Sequence, residues 1–318
     1  MYFNASAASV AENTVVAPYS LATSSICAIS EYEAQHLIDS RIMPYFENMK
    51  IKNIDAIKIR KWQNELVNYK DKNGKPFAQT YLRTINTQLS AIMNYAVRYY
   101  DLPKNPCRDA GSIGKSRAGE MKIWTREQFE HFIQFEKKPS YRVAFNILFY
   151  TGIREGELLA LTPADVPKDE EVIDINKSYA CVDQREYFLT PKTERSNRRV
   201  SIHKSLHKEI RDLIDGMQLE DDERIFYFKR GGLVDEFYRR TADAGLEQIK
   251  IHNLRHSHAS MLIHMGVPIT EISARLGHES PDITLRTYSH LYPGTERNAS
   301  DKIAALFDDP IDENDVDL

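Results

Sequence analysis

Apolar residues recur at three- and four-residue spacing through most of this chain, and the pattern changes to short alternating runs in the region between 171 and 203. A spacing near 3.6 puts apolar side chains on one face of a helix, whereas alternation marks a half-buried strand. The helical pattern covers 31–48, 54–69, 77–100, 139–151, 154–161, 204–216, 233–245, 253–265, 268–276, 281–291 and 298–307, with strands expected at 171–179, 186–190 and 198–203. Thr125-x-x-Gln128 adds the signature of a capping box that starts a further helix. The clearest helix is 77–100, where Tyr81, Ile85, Leu89, Ile92, Tyr95, Ala96 and Tyr99 share a face. The expected fold class is mainly α with a small antiparallel β-sheet (α+β).

At 318 residues the chain is long enough for two domains, each with its own core. The stretch from Asp101 to Lys122, with Pro103, Pro106, glycines and several bases, is the best connecting segment. The expected organisation is a lead over 1–28, a helical module over 29–108, a linker over 109–123, a second module over 124–307 and an acidic tail over 308–318. No apolar run is long enough to span a bilayer, and no Lys or Arg precedes Arg41, so neither a membrane span nor a secretory signal is expected. Cys27, Cys107 and Cys181 are odd in number and lack a CxxC pair, which suits a reducing cytosol.

The net charge of −4 conceals an asymmetry. Residues 1–40 carry four acids and no Lys or Arg, and residues 308–318 carry six acids and none. Residues 41–109 hold 13 bases and 6 acids, or +7, while 110–307 hold 29 against 30. A solvated basic face would look the same, but clustered cations also gain affinity for nucleic acid by releasing its counterions. On the polar side of the 77–100 helix lie Thr80, Thr84, Thr87, Asn94 and Arg98, with Lys72, Lys75 and Arg83 nearby and no acid between Asp71 and Asp101. Short hydroxyls and cations without a repelling carboxylate suit a DNA backbone.

The chain lacks a phosphate-cradling GxxxxGK[ST] loop, a dinucleotide GxGxxG turn and a GxSxG nucleophile elbow. Six of its ten histidines fall within 252–290. His252 and His256 are spaced to share a helix face, but the intervening run is HNLRH, without the Glu of a zinc peptidase, and no metal site is expected. Four stretches stand out in order: TGIREGELLAL with Arg154 and Glu157, TPKTERSNRRV with Lys192, HNLRHSHASMLIHMG with His252 and Arg255, and LGHESPDITLRTYSH with His278 and Tyr288. Singly, each has an ordinary explanation as a surface ion pair or a core residue.

Together, in this order, they resemble the phage integrase family of tyrosine recombinases. The resemblance covers about 150–291 and extends to the front module, which looks like that family's helical core-type DNA-binding domain. It implies a catalytic domain over 124–307 and a site-specific recombinase that cleaves and rejoins DNA through a 3′-phosphotyrosine and a Holliday junction. Tyr288 would be the nucleophile, and Arg154 and Arg255 would clamp the non-bridging phosphate oxygens. His252 would be a proton acceptor or positioning group, His278 would donate to a phosphate oxygen, and Lys192 would protonate the leaving 5′ oxygen. Glu157 would orient Arg154 or its helix. The implied partners are double-stranded recombination sites, three further copies of the chain on two duplexes (a monomer free in solution), and accessory proteins that bend DNA or set direction. No cofactor or metal is implied, and the location is the bacterial cytoplasm, at the nucleoid. A base-free stretch over 1–40 argues against arm-site binding. Alternatives are a type IB topoisomerase-like relaxing enzyme, a telomere resolvase and an inert DNA-binding regulator.

Overall fold

The computed structural model describes residues 34–115, 122–182, 185–190 and 196–289. The expectations for the lead at 1–28, for Lys192, for the helix at 298–307 and for the tail at 308–318 lie outside the described residues. The described residues fall into two compact units that divide at Lys122.

In the first unit, α1 (34–46) contains a π-helical turn at Ile38–Ile42. Helix α2 (Ala56–Asn68) starts at Asp55, whose Oδ1 accepts from the Lys58 amide at 2.8 Å. Helix α3 is Gln79–Tyr99. Helix α4 (Pro106–Ala110) starts at Asn105, whose side-chain oxygen accepts from the Cys107 amide at 2.8 Å. Such caps satisfy amides that a helix start leaves without a carbonyl. Phe46, Trp62, Leu82, Ile85, Leu89 and Met93 form the core, and Cys107 and Ala110 of α4 join it. Buried Gln63 donates to Asn86 Oδ1 at 2.7 Å and to Gly111 O at 2.8 Å, so α2, α3 and the chain after α4 share one satisfied polar knot. The segment that sequence reads as the start of a connection is thus partly packed. The buried stripe of α3 also differs from expectation. Leu82, Asn86 and Met93 are inside, Tyr81 and Tyr95 are half-buried, and Tyr99 is exposed. The tyrosines lie along the edge of the stripe, where an amphipathic ring keeps its hydroxyl wet.

The second unit begins with α5 (Arg126–Ile133), capped as expected: Thr125 N donates to Gln128 Oε1 at 2.9 Å and Gln128 N to Thr125 Oγ1 at 3.3 Å. Its other helices are α6 (Pro139–Thr151), α7 (Glu155–Ala160), α8 (Lys204–Met217), α9 (Arg230–Asp243), α10 (Asn253–His264), α11 (Ile269–Leu276) and α12 (Pro281–Tyr288). Helix α6 is the hub, packed against α5, α7, α8 and α10. Its Phe149 stacks on Phe129 at 4.0 Å, and Trp124, Phe132, Phe145 and Phe237 fill the same core. A smaller cluster joins α10, α11 and α12 through Ala259, Ile263, Ile272, Leu276 and Tyr288.

Among the described residues four strands form where three were expected, in two antiparallel pairs. β1 (Val172–Ile175) pairs with β4 (Arg198–Ser201), with Val172 opposite Ser201, and β2 (Ser178–Val182) pairs with β3 (Arg185–Leu189), with Ser178 opposite Leu189. The run 171–179 divides because Asn176 donates to Asp165 Oδ1 at 2.9 Å and Lys177 pairs with the same buried carboxylate. Those two polar contacts turn the chain out of one ladder and into the next. Helix α9 begins at Arg230 rather than 233, with Gly231 and Gly232 inside its first turn. No helix among the described residues is long and apolar enough to cross a membrane.

Candidate active site

The site is organised around a buried carboxylate. Helix α6 ends at Gly152, whose φ of +67° suits glycine. The space is equally restrictive, since a Cβ there would sit 2.7 Å from His258 Cδ2 and 2.8 Å from Leu276 Cδ2. The chain then re-enters a helix at Arg154, whose amide donates to Glu157 Oε2 at 2.8 Å. Glu157, 6 % exposed, also accepts from Arg154 Nη1 at 2.8 Å and from Arg198 Nη1 and Nη2 at 3.2 and 2.9 Å. Burial pushes the Glu157 carboxyl upward, but the Arg198 and Arg154 guanidiniums outweigh it and hold the group below the usual carboxylate range. Arg198, on β4, has a side chain only 7 % exposed and is fixed further by its Nε donating to Arg275 O at 2.8 Å. Arg154 keeps 42 % of its side chain exposed, so one face of its guanidinium remains open.

Arg255, in the first turn of α10, is 4 % exposed. It donates from Nη1 to Gly152 O and from Nη2 to Leu276 O, both at 2.7 Å. Burial, and then the Arg154 charge, pull it down to about 9. It stays cationic at neutral pH, but in a place that disfavours the cation until an anion arrives.

His252 precedes α10, and its ring meets that of His256 edge-on at 5.3 Å. Burial and then Arg255 lower its pKa. His278 follows the left-handed Gly277 that ends α11, and its Nδ1 lies 2.7 Å from Thr284 Oγ1. Burial, then Arg255 and Arg154, bring it down to about 4. Tyr288, at the end of α12, is 1 % exposed and its hydroxyl lies 2.6 Å from His256 Nδ1. Burial raises the phenol to about 12 against the opposing pull of Arg255. His256 is pulled down to about 4 by burial, then by His252 and Arg255, so at neutral pH it is an uncharged acceptor for the phenol.

Arg154, His252, Arg255, His278 and Tyr288 all line one open cleft of about 420 Å³, together with His256 and Ser196. Of the six expected catalytic residues these are the five that are described; Lys192 falls between β3 and β4, outside the described residues. Two participants were not anticipated. His256 is four residues from His252 on the same helix face, a signal weighed above only as a metal pair. Arg198 stands in the TPKTERSNRRV stretch but was not singled out. Among the described residues no cluster of three His, Cys, Asp or Glu side chains is placed to hold a metal ion.

In the first unit, Lys72 and Lys75 are exposed on a turn where Asp71 Oδ1 accepts from the Asn73 and Lys75 amides at 2.8 Å. Arg83, Thr84, Thr87 and Arg98 are exposed on α3 and Thr80 is half-buried. Several of these groups already have partners. Arg83 donates to Ser112 Oγ at 2.6 Å, and Thr84 and Thr87 donate to the carbonyls of Thr80 and Arg83. Asn94 is exposed, and its side-chain oxygen accepts from Asn105 at 2.8 Å.

A mainly helical unit that carries two arginines, three histidines and a tyrosine around one cleft has the make-up of a phosphoryl-transfer site without a nucleotide loop. Comparison with known proteins agrees. Residues 122–294 match the phage integrase family, and residues 30–67 match the N-terminal SAM-like domain of phage integrases. The ICEBs1 integrase of Bacillus subtilis (strain 168) is 31 % identical over 288 residues, covering 86 % of this chain and 76 % of that protein. A XerC-like tyrosine recombinase of Caldanaerobacter subterraneus is 28 % identical over 291 residues, covering 81 % and 73 %. Among solved structures, the Tn1549 transposon integrase in complex with a circular intermediate DNA superposes with a TM-score of 0.68 at 17 % identity, covering 91 % of this chain and 95 % of that one. A lambda integrase dimer bound to a core site gives 0.58 at 15 % identity, covering 80 % and 89 %. The chain belongs to the phage integrase family, and its class is that of the tyrosine recombinases.

Proposed function

We propose that this chain is a site-specific DNA recombinase that integrates or excises a mobile element through a covalent 3′-phosphotyrosine formed by Tyr288. The supporting observation is the convergence of Tyr288 with Arg154 and Arg255 in one cleft, although the three lie 134 residues apart in sequence at the extremes. A scissile phosphate held between the two guanidiniums has its non-bridging oxygens against fixed donors. Those donors act where charge grows in the transition state, and losing one typically costs about 2.7–4 kcal/mol. Arg154 offers its open face, Arg255 is held by two carbonyls, and Glu157 with Arg198 keeps Arg154 in place. His278 is assigned the donation to a phosphate oxygen, and Lys192, between β3 and β4, the proton for the leaving 5′ oxygen.

The phosphotyrosine conserves the energy of the broken ester, so a 5′ hydroxyl from a partner strand can reverse the step on a new duplex. On this scheme the partners are duplex recombination sites, and four copies act on two duplexes through a Holliday junction. The helical module over 29–108, with its +7 balance across 41–109, supplies backbone contacts through Lys72, Lys75, Thr80, Arg83, Thr84, Thr87, Asn94 and Arg98. Such an enzyme works at the nucleoid, in the bacterial cytoplasm.

A nicked suicide duplex carrying the recombination site tests this. Incubated with the protein and EDTA, it is expected to yield a covalent protein–DNA adduct that disappears in Tyr288→Phe. An adduct that persists in Tyr288→Phe places the nucleophile elsewhere and refutes the assignment.

A further inference from the structure

We propose that His256 is the group that takes the phenol proton from Tyr288 during strand cleavage and returns it on rejoining, in place of His252. This goes beyond the proposed function above and rests on its assignment of Tyr288. The hydroxyl that must lose a proton already lies 2.6 Å from His256 Nδ1, within the reach required of a general base. Helix geometry makes the contact. His252, at the cap of α10, and His256, within it, stand one turn apart, and α12 lays the Tyr288 ring against the second of them, with ring centres 5.7 Å apart. Tyr288 is anchored by Ala259, Ile263, Ile272 and Leu276, so the pairing is set by core packing rather than by a surface rotamer.

The protonation states fit the direction of transfer. The charged and titratable groups that line the cleft with the pair are His252 at the cap of α10, Arg255 on α10, Arg154 ahead of α7, and His278 and Glu279 between α11 and α12. Burial, then His252 and Arg255, keep the His256 imidazole neutral, and burial keeps the phenol protonated. The O–H therefore donates to Nδ1, and an oxygen lone pair stays free for the phosphorus. In cleavage the Oη–P bond forms as the P–O5′ bond breaks, the phenol proton passes to Nδ1, and the 5′ oxygen takes a proton from the acid on the leaving side. The incoming phosphodiester carries a negative charge that stabilises the resulting imidazolium. Rejoining runs the same transfers backward.

The test is single-turnover cleavage of the suicide duplex across pH 6–10, with tyrosine or 3-fluorotyrosine at 288 in the unsubstituted protein and in His256→Gln. The expected results are a loss of about 10²–10⁴-fold at pH 7 in His256→Gln, a rate that climbs with pH as hydroxide replaces the missing base, and a larger gain from the more acidic fluorotyrosine in His256→Gln than in the unsubstituted protein. His256→Asn, with a shorter acceptor, should show the same pH-dependent recovery. An unchanged rate and pH profile overturns the inference. So does an equal loss at every pH with no gain from fluorotyrosine, which would mark His256 as packing alone. Absence of a Tyr288-linked adduct in the unsubstituted protein overturns the site assignment itself, a failure visible before His256 is altered.

Discussion

Replacing Glu157 by Gln should separate the scaffold of the cleft from its chemistry. Glu157 and Arg198 are both buried, 7 % exposed at their side chains, and joined by a two-pronged contact. Removing one partner of such a pair strands the other charge, at a cost of about 3–5 kcal/mol. Gln keeps one acceptor oxygen and the size of the side chain, so the low end, about 3 kcal/mol, is expected. The Arg154 contact adds little to that figure because Arg154 is 42 % exposed and well screened. For a unit of this size, about 2–4 °C per kcal/mol converts the loss to a fall of about 6–12 °C in the melting transition of the second unit. The pH dependence has a definite sign. The Glu157 carboxyl is held below its ordinary value, so its contribution is present above the unfolded pKa of about 4.3 and is lost as pH falls through the folded pKa. The gap between the unsubstituted protein and Glu157→Gln should therefore be full at pH 7 and shrink below about pH 4. Scanning calorimetry at a series of pH values measures it. A loss under about 1 kcal/mol at pH 7, or a gap that persists unchanged at pH 3, would refute the electrostatic account of the frame.

Arg255→Lys should keep a charge yet lose one of the two 2.7 Å carbonyl contacts and the paired donors toward phosphate, and cleavage should fall about 10²–10³-fold while gel-shift affinity for the duplex changes little. Gly152→Ala should destabilise by about 2–4 kcal/mol in chemical denaturation, because left-handed strain adds to a 2.7 Å clash with a buried imidazole; a loss below 1 kcal/mol would mean α10 shifts freely. Lys192→Ala should slow cleavage of an ordinary duplex and be rescued by a substrate with a sulfur in place of the leaving 5′ oxygen; no rescue would remove Lys192 from the acid role.

The sequence carries more of the candidate cleft than of its supports. Arg154, His252, Arg255, His278 and Tyr288 were legible because each sits in a local pattern whose neighbours are also distinctive, and their order carries information that no single residue does. Their meeting in one cleft follows from how α7, α10, α11 and α12 pack, and local periodicity does not encode that. Arg198 was missed because its meaning lies in a contact with Glu157 across 41 residues, and His256 because its partner lies 32 residues on. The split of 171–179 into two strands escaped notice for the same reason: Asn176 and Lys177 turn toward Asp165, which precedes the strands. On α3, periodicity found the helix but placed the edge tyrosines in the stripe, since a Tyr ring satisfies an apolar pattern from the rim as well as from within.

With Tyr288 as the proposed nucleophile, the shifts within the cleft also bear on how it is activated. Excess guanidinium charge would be expected to acidify a nearby phenol, and Arg255 does pull Tyr288 that way, yet burial prevails and leaves it at about 12. The arrival of a phosphodiester anion adds negative charge, which makes a phenolate harder still to form beforehand. On the proposed assignment, electropositive surroundings alone therefore leave the Tyr288 phenol protonated in this cleft, and a base is expected to take its proton as the bond to phosphorus forms. The same anion has the opposite effect on the imidazoles. Burial holds both His256 and His278 near 4, with His252 and then Arg255 adding to it at His256 and Arg255 and Arg154 adding to it at His278, so an anion that offsets the Arg255 charge makes each a better base. On the proposed assignment, binding of the phosphodiester raises the proton affinity of His256 toward that of the phenol, which would couple ionisation of Tyr288 to the presence of DNA.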